Sequence, residues 1–352
     1  MKQTKIENFN KDLLNWYDLN KKLLPWRMTL EPYKIWISEI MSQQTQVETV
    51  IPYYKRFIDK YPTLRDLAVA DDAELLKLWE GLGYYSRVRN LKSGAQQVMN
   101  EFGGKFPTQI NEIRSIKGIG PYSAASISSI SFNAPEPAID GNLFRVTSRL
   151  FEISDDISKS SSRKIFDEKL RVIISRDRPG DFNQALMDVG ATICHPKSPK
   201  CDVCPLRGYC QSFQTGDQEK FPVKSKKIKQ KQLYYQSFAI KLGDKYLMVK
   251  RPSAGLLADM WTFPLVEVEE NAEVILPSEL RNQIVKFEEI GEISHIFSHL
   301  KWHVRLIVCQ LEDVVAKDGL MIHNQAWLSE KDLKTRALAG PQIKLFKLLK
   351  NN

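Results

Sequence analysis

"ATICHPKSPKCDVCPLRGYC", residues 191–210, carries Cys194, Cys201, Cys204 and Cys210 in the spacing C-x6-C-x2-C-x5-C. The 352-residue chain has only five cysteines, so four of them fall within seventeen consecutive positions. Disulfides belong to oxidising compartments. The N-terminal stretch "MKQTKIENFNKDLLNW" has neither a long apolar run nor a small-residue cleavage site, so no signal peptide is expected. A four-thiolate metal site is the better reading. Zinc sites usually pair two tight knuckles, and here only Cys201–Cys204 is one. Iron–sulfur sites take four thiolates from clustered runs of this kind. The spacing favours iron–sulfur and leaves zinc open. Pro196, Pro199 and Pro205 keep the segment out of a helix. Lys197, Lys200 and Arg207 stud its loops, either facing a phosphate backbone or balancing the charge of the metal site. The fifth thiol, Cys309 in the apolar run "WHVRLIVCQL", reads as a core residue.

Outward from this loop the chain divides in two. Its length allows two domains, each with a core. Residues 1 to about 190 carry helical periodicity. "DDAELLKLWEGLG" starts at Asp caps and ends at Gly81. "EPYKIWISEIMSQQTQVETVI" puts Trp36, Ile40, Val47 and Val50 on one stripe. "SSRKIFDEKLRVIISR" and "DFNQALMDVGATI" are two further amphipathic segments. "KFPVKSKKIKQK" then holds six lysines in twelve residues, a linker or exposed basic strand. Beyond Leu233 the pattern alternates: "YYQSFAIKLGDKYLMVKR" predicts a hairpin around Gly243-Asp244, and "WTFPLVEVE" and "WHVRLIVCQLE" predict further strands. "LSEKDLKTRALAGPQIKLFKLLKN" closes with helix. No window is apolar enough to span a membrane, and the default compartment is the cytoplasm or nucleoid. The net charge of +9 is compatible with a polyanionic partner.

"IRSIKGIGPYSAASISSI", 113–130, runs a helix into Gly118-Ile119-Gly120 and starts another at Pro121. Such a hairpin aims free N–H groups outward and can hold a phosphate without reading a base. An ordinary helix connection would look the same. In "PAIDGNLFRVTSRL", Asp140 is either a plain N-cap or a buried carboxylate that a helix N-terminus keeps ionised, able to face a developing sugar cation. Glu39, beside the Trp36–Ile40 stripe, is either solvated or a general acid whose pKa burial raises. Two carboxylates in contrasting settings divide acid and stabiliser roles in glycosidic cleavage. Gln43, Gln44 and Gln46 are expected on the same helix as Glu39, suited to contacts with bases or to plain helix surface. "GLGYYSR", 81–87, places Leu82, Tyr84 and Tyr85 on a glycine-bounded turn, for stacking between bases or for core filling.

The glycine hairpin, the later aspartate and the cysteine loop together resemble the helix-hairpin-helix DNA glycosylases that carry a [4Fe-4S] cluster, the group of endonuclease III. The lyases of that group carry a catalytic lysine after the hairpin, where this chain has Tyr122. A phenol forms no imine, so the resemblance narrows to the MutY branch, the adenine DNA glycosylases. "LPWR" (24–27), "SEIMSQQTQV", "GLGYYSR" and "DGNLFRV" are similar to stretches of that branch. "SIKGIG" departs from the commoner Leu-Pro-Gly approach to the hairpin, and Lys117 then becomes an added phosphate contact.

The resemblance implies a multi-domain chain. Residues 1–216 would form an all-α helix-hairpin-helix catalytic domain with the iron–sulfur loop at 194–210. Residues 217–232 would be a basic interdomain linker. Residues 233–352 would form an α+β, Nudix-like lesion-recognition domain. It implies adenine removal from duplex DNA opposite 8-oxoguanine or guanine, in base excision repair, by a monomer without a membrane partner. Glu39 would protonate the flipped adenine, Asp140 would face the sugar cation, and Tyr122 and Asn142 would orient them. Gln44, Leu82, Tyr84, Lys117, Gly118 and Gly120 would contact DNA. Phe297, Ser298 and His299 would recognise 8-oxoguanine. Cys194, Cys201, Cys204 and Cys210 would bind the cluster. No acidic run of the kind that holds metal in Nudix hydrolases follows "GLLADMWTFP", so nucleotide hydrolysis is not expected. A bifunctional lyase for oxidised pyrimidines and a non-catalytic lesion binder are the competing readings.

Overall fold

The computed structural model describes residues 2–225, 230–278, 281, 283–311 and 324–351. The chain separates into two compact units. One joins Met1–Ala70 with Arg89–Lys226, the other Asp71–Val88 with Lys227–Asn352. Asp71–Val88, which the sequence assigns to the helical domain, thus groups with the C-terminal strands.

In chain order the helices are α1 (Gln3–Asn20), α2 (Pro32–Ser42), α3 (Val47–Lys60), α4 (Leu64–Ala68), α5 (Asp72–Leu78), α6 (Ser86–Glu101), α7 (Ile110–Ser115), α8 (Pro121–Ser131), α9 (Gly141–Phe151), α10 (Ser162–Ile173), α11 (Pro179–Thr192) and α12 (Gln211–Thr215). Their apolar residues recur every three or four positions, and the faces meet. Phe9, Leu13 and Tyr17 of α1 pack with Leu143, Val146 and Leu150 of α9 and with Phe182, Leu186 and Val189 of α11. Each such fully buried side chain stabilises by about 1.5–3 kcal/mol relative to exposure. Cys194, Cys204, Tyr209 and Cys210 lean on the same core, so the thiol loop is anchored to helices and not to solvent.

Two expectations about helices need correction. The stripe from Trp36 to Val50 is not one helix. It stops at Ser42 and resumes at Val47, because Gln44 turns left-handed at φ 56°. Gln43, Gln44 and Gln46 therefore lie on the turn. The segment begun by Asp71 also ends early, at Leu78 instead of Gly81, and its Asp71 carboxylate caps Ala73 N and Glu74 N as expected.

Among the described residues the second unit holds a mixed seven-stranded sheet: β1 (Lys231–Leu242), β2 (Lys245–Lys250), β3 (Trp261–Thr262), β4 (Leu265–Val268), β5 (Ile284–Ile296), β6 (Leu300–Leu311) and β7 (Gln325–Ser329). Its path runs β3-β2-β1-β6-β5, with β4 on β1 and β7 on β2. β1 and β6 pair in parallel, Phe238 opposite Ile307. The expected hairpin forms: Leu242 faces Lys245 across Gly243-Asp244, and Gly243 takes the positive φ of 58° that a two-residue loop demands. Helices α13 (Glu330–Leu333) and α14 (Gly340–Lys350) close the chain, with Leu345 buried in the core of the sheet. Cys309 is 2% exposed, a core thiol as read.

Part of the expected linker, residues 226–229, lies outside the described residues. The part before it is no free tether. Gln218 O and Phe221 O accept bonds from Arg149, and Ile157 N donates to Val223 O at 3.1 Å.

Candidate active site

Glu39 sits on the inner side of α2, which packs against α8. Burial raises the pKa of its carboxyl, while the Tyr122 and Ser126 hydroxyls beside it pull the other way. Its Oε2 is buried and has no hydrogen-bond partner among the described residues. A buried carboxyl oxygen in that state favours the proton. The phenol of Tyr122 is held neutral, first by burial and then by the neighbouring Glu39 and Asp140 carboxyls. Tyr122 therefore stands within the field of both carboxyls, and its Oη approaches Met187 Sδ at 3.9 Å.

Asp140 is the N-cap of α9. One carboxylate oxygen accepts from Leu143 N at 2.7 Å and the other from Asn142 Nδ2 at 2.9 Å. The cap and the buried carboxylate, opposed in the sequence, are thus one residue. Here too burial pushes the pKa up, against the N–H groups of Leu143 and Asn142. The helix N-terminus offsets that cost without reversing it. The two carboxyls still differ. Asp140 has several donors that favour its anion, and Glu39 has an orphaned oxygen.

Asn142 extends the site toward the thiols. Its Oδ1 accepts from Arg145 Nη2 at 2.9 Å, and Arg145 donates onward to Gly190 O and Cys194 O, both at 2.7 Å. A Cβ on Gly190 would stand 2.6 Å from Asn142 Cβ, so a glycine is what lets α11 approach α9 there. One helical turn on, Arg149 is 2% exposed and makes five bonds: to Cys194 Sγ (3.2 Å), His195 O, Pro196 O, Gln218 O and Phe221 O. Its own carbonyl accepts from Ser212 Oγ at 2.7 Å. Neither arginine was singled out from the sequence. The signal was there: Asn142, Arg145 and Arg149 recur at three and four residues along a helix whose other stripe is apolar.

Cys194, Cys201, Cys204 and Cys210 line one cavity together with Arg149 and Arg207. Burial and the neighbouring sulfurs push Cys204 up to about 12 and Cys210 to about 11. Four thiolates can gather in such a place only around a positive centre, with Arg149 supplying further charge. The residues present thus fit an iron–sulfur cluster, which when bound ties the four sulfurs, and the loop between them, to the core.

At the hairpin, Gly118 has φ 87°, and a Cβ there would meet Asn90 Cβ at 2.7 Å. Gly120 needs no special backbone: it has φ −88° and open space where a Cβ would be. Its bareness leaves room for a close approach. Lys117 N is used by Gln97 Oε1, while its side chain is exposed.

The remaining expected contacts separate. Gln44 sits at the left-handed turn beyond Glu39's helix. Leu82 is 6% exposed and packs inward, whereas Tyr84 is 45% exposed with φ 48°. Arg87 braces that turn through Leu82 O and Gly83 O, its guanidinium over the Tyr84 ring. Phe297, Ser298 and His299 form the tight connection from β5 to β6, closed by Phe297 N to Leu300 O at 2.8 Å. Phe297 packs on His295 and Trp302. Within the second unit, Tyr84 Oη and Ser298 Oγ lie 3.1 Å apart, so two residues far apart in sequence share one exposed spot.

Comparison with known proteins adds three matches along the chain. Residues 37–172 match the HhH-GPD superfamily of base excision DNA repair proteins, 194–210 the iron-sulfur binding domain of endonuclease III, and 237–348 the NUDIX domain. The adenine DNA glycosylase of Buchnera aphidicola subsp. Acyrthosiphon pisum is 33% identical, over 98% of each chain. That of Arabidopsis thaliana is 35% identical over 88% of this chain, which spans 58% of the plant protein's length. A solved thermostable thymine-DNA glycosylase is 28% identical with a TM-score of 0.54, covering 60% of this chain and 98% of its own.

Proposed function

This chain belongs to the adenine DNA glycosylase family, and from that premise we infer that it excises adenine mispaired with 8-oxoguanine, or with guanine, from duplex DNA. The reaction is hydrolysis of the N-glycosidic bond, the first step of base excision repair. The observation that supports this reading is the pair of carboxyls in contrasting settings, Glu39 and Asp140, with the neutral Tyr122 beside both.

Protonated Glu39 donates to the flipped adenine, which weakens the bond from the base to C1′. As that bond breaks, positive charge grows on the sugar, and the capped Asp140 carboxylate faces it. Water then adds its hydroxyl to C1′ and returns its proton to Glu39. Asn142 and Tyr122 hold the two acids in position. Tyr122 offers no amine, so the strand stays intact after base loss. Cys194, Cys201, Cys204 and Cys210 hold the [4Fe-4S] cluster, which keeps the basic loop in shape. Phe297, Ser298 and His299 read the opposing lesion, and Gln44, Tyr84, Lys117, Gly118 and Gly120 meet the DNA, while the inward-packed Leu82 holds the turn that presents Tyr84. The catalytic part lies within residues 1–216, apart from Asp71–Val88, and the lesion-recognition part is 233–352, joined through 217–232. The protein works as a monomer where chromosomal DNA lies, in the cytoplasm or nucleoid.

The test is single-turnover base release from labelled duplexes with adenine opposite 8-oxoguanine, guanine or thymine, worked up with and without alkali. Cleavage at adenine that needs alkali, is fastest opposite 8-oxoguanine and disappears in Glu39→Gln is the expected result. Alkali-independent nicking would return the chain to the lyases. Tight binding without base release would make it a lesion binder.

A further inference from the structure

The helical unit also carries a polar cavity, of about 430 Å³, between α7, the start of α8 and α10. Among the described residues Arg114, Arg163, Lys164 and Arg171 line it, against two acids, Glu136 and Asp167. Both acids are engaged by Arg171, each at 2.6 Å. Lys164 reaches Glu168 only at 4.0 Å, with both side chains well exposed. Arg114 and Arg163 make no ion pair among the described residues. Arg163 spends one N–H on Ile139 O, at 3.1 Å, and the rest of its fork is free. Burial lowers the pKa of that guanidinium, Asp167 opposes this, and Arg114 adds to it. Two cations thus face one cavity without an ion pair of their own, and an anion there would relieve both.

We propose that this cavity is a phosphate-binding site, with Arg114 and Arg163 as the ligands of the phosphate oxygens. A planar guanidinium matches two phosphate oxygens at once. The cavity has room for more than a bare phosphate. Two sources share that chemistry. One is a phosphodiester of a DNA strand that also meets the hairpin, since α7 and α8 carry both features. The other is a free phosphate or phosphate monoester. Either would hold Arg163, and through Ile139 O the backbone that leads into Asp140. The proposal stands on the cavity and does not rest on adenine excision.

The experiment uses the intact protein, the double variant R114Q/R163Q, R114Q alone and R163K. Inorganic phosphate is titrated against chloride at equal ionic strength, reading thermal protection. Binding of an undamaged duplex is measured in parallel from 50 to 200 mM salt. If a DNA phosphate occupies the site, the double variant lowers the salt slope by about 0.9, so the affinity lost across that range is roughly threefold smaller. R163K restores the slope. If free phosphate occupies it, phosphate protects the native protein and not the double variant, with the slope unchanged. Unchanged slope and no phosphate protection overturn the proposal. Should the double variant fail to fold, R114Q decides, because Arg114 lies exposed on α7: a folded R114Q that behaves as native in both assays also overturns it. Adenine release from mispaired duplex, measured separately, shows whether the glycosylase reading stands or falls independently.

Discussion

Glu39 shows how much one carboxyl depends on what covers it. On α2 it follows a buried apolar stripe, and α8 brings Tyr122 and Ser126 over it. Its folded-state pKa lies above the ordinary carboxylate value, so the proton favours the folded form. The stability tied to that proton is complete below the ordinary value and is lost as pH rises through the raised one. Glu39→Gln has no proton to lose. The variant should be more stable than the native protein above the ordinary carboxylate range, a gain that vanishes below it, while single-turnover excision falls by about 10²–10⁴. Melting curves across pH and base-release assays check the two halves; a variant that loses activity and stability together would count against the buried-acid role. The same shift sets the pH profile. Excision should fall on the alkaline side as Glu39 loses its proton and on the acid side as Asp140 gains one, and the acid limb should disappear in the residual activity of Asp140→Asn. The sequence alone left Glu39 open between solvent and site, because one helix does not say what packs on it.

At the scale of elements, α9 holds the site together. Asp140 caps it, Asn142 and Arg145 run from the cap to the thiol loop, and Arg149 locks that loop. Cap and charge can be separated. Asp140→Asn or Asp140→Ser keeps a capping side chain and should stay within a few tenths of a kcal/mol, whereas Asp140→Ala should cost about 1 kcal/mol. All three should lose excision, so denaturant melts and activity must diverge. Arg149→Met leaves several carbonyls and the thiol cavity without their donor. It should cost about 3–5 kcal/mol and reduce the absorbance near 400 nm together with bound iron; a variant with native iron content would show that the thiols hold the loop unaided. The cap was legible, since an Asp before Gly-Asn and an amphipathic run has few other readings. The break at Gln44 was not. Trp36, Ile40, Val47 and Val50 keep helical spacing through it, and periodicity cannot register a turn whose length preserves the phase.

For the whole molecule, chain order and compact units do not coincide. Asp71–Val88 belongs with the C-terminal sheet through Lys77 Nζ to Arg336 O, Glu80 Oε1 from Leu338 N and the Tyr84–Ser298 contact. A chain ended before Lys227 should therefore lose hydrogen-exchange protection in 71–88, while the core of α1, α9 and α11 keeps it. Equal protection in both lengths would mean that the segment is held by local helix alone. Composition, spacing and turn chemistry are properties of neighbours in sequence. For that reason the sequence by itself determined the cysteine run, the glycine hairpin, the Gly243-Asp244 turn and the change from helices to strands. Burial and pairing sum over segments far apart in the chain. The orphaned oxygen of Glu39, the five bonds of Arg149, the grouping of Asp71–Val88 and the cavity that Arg114 and Arg163 face without an ion pair were decided only when the tertiary structure brought those segments together.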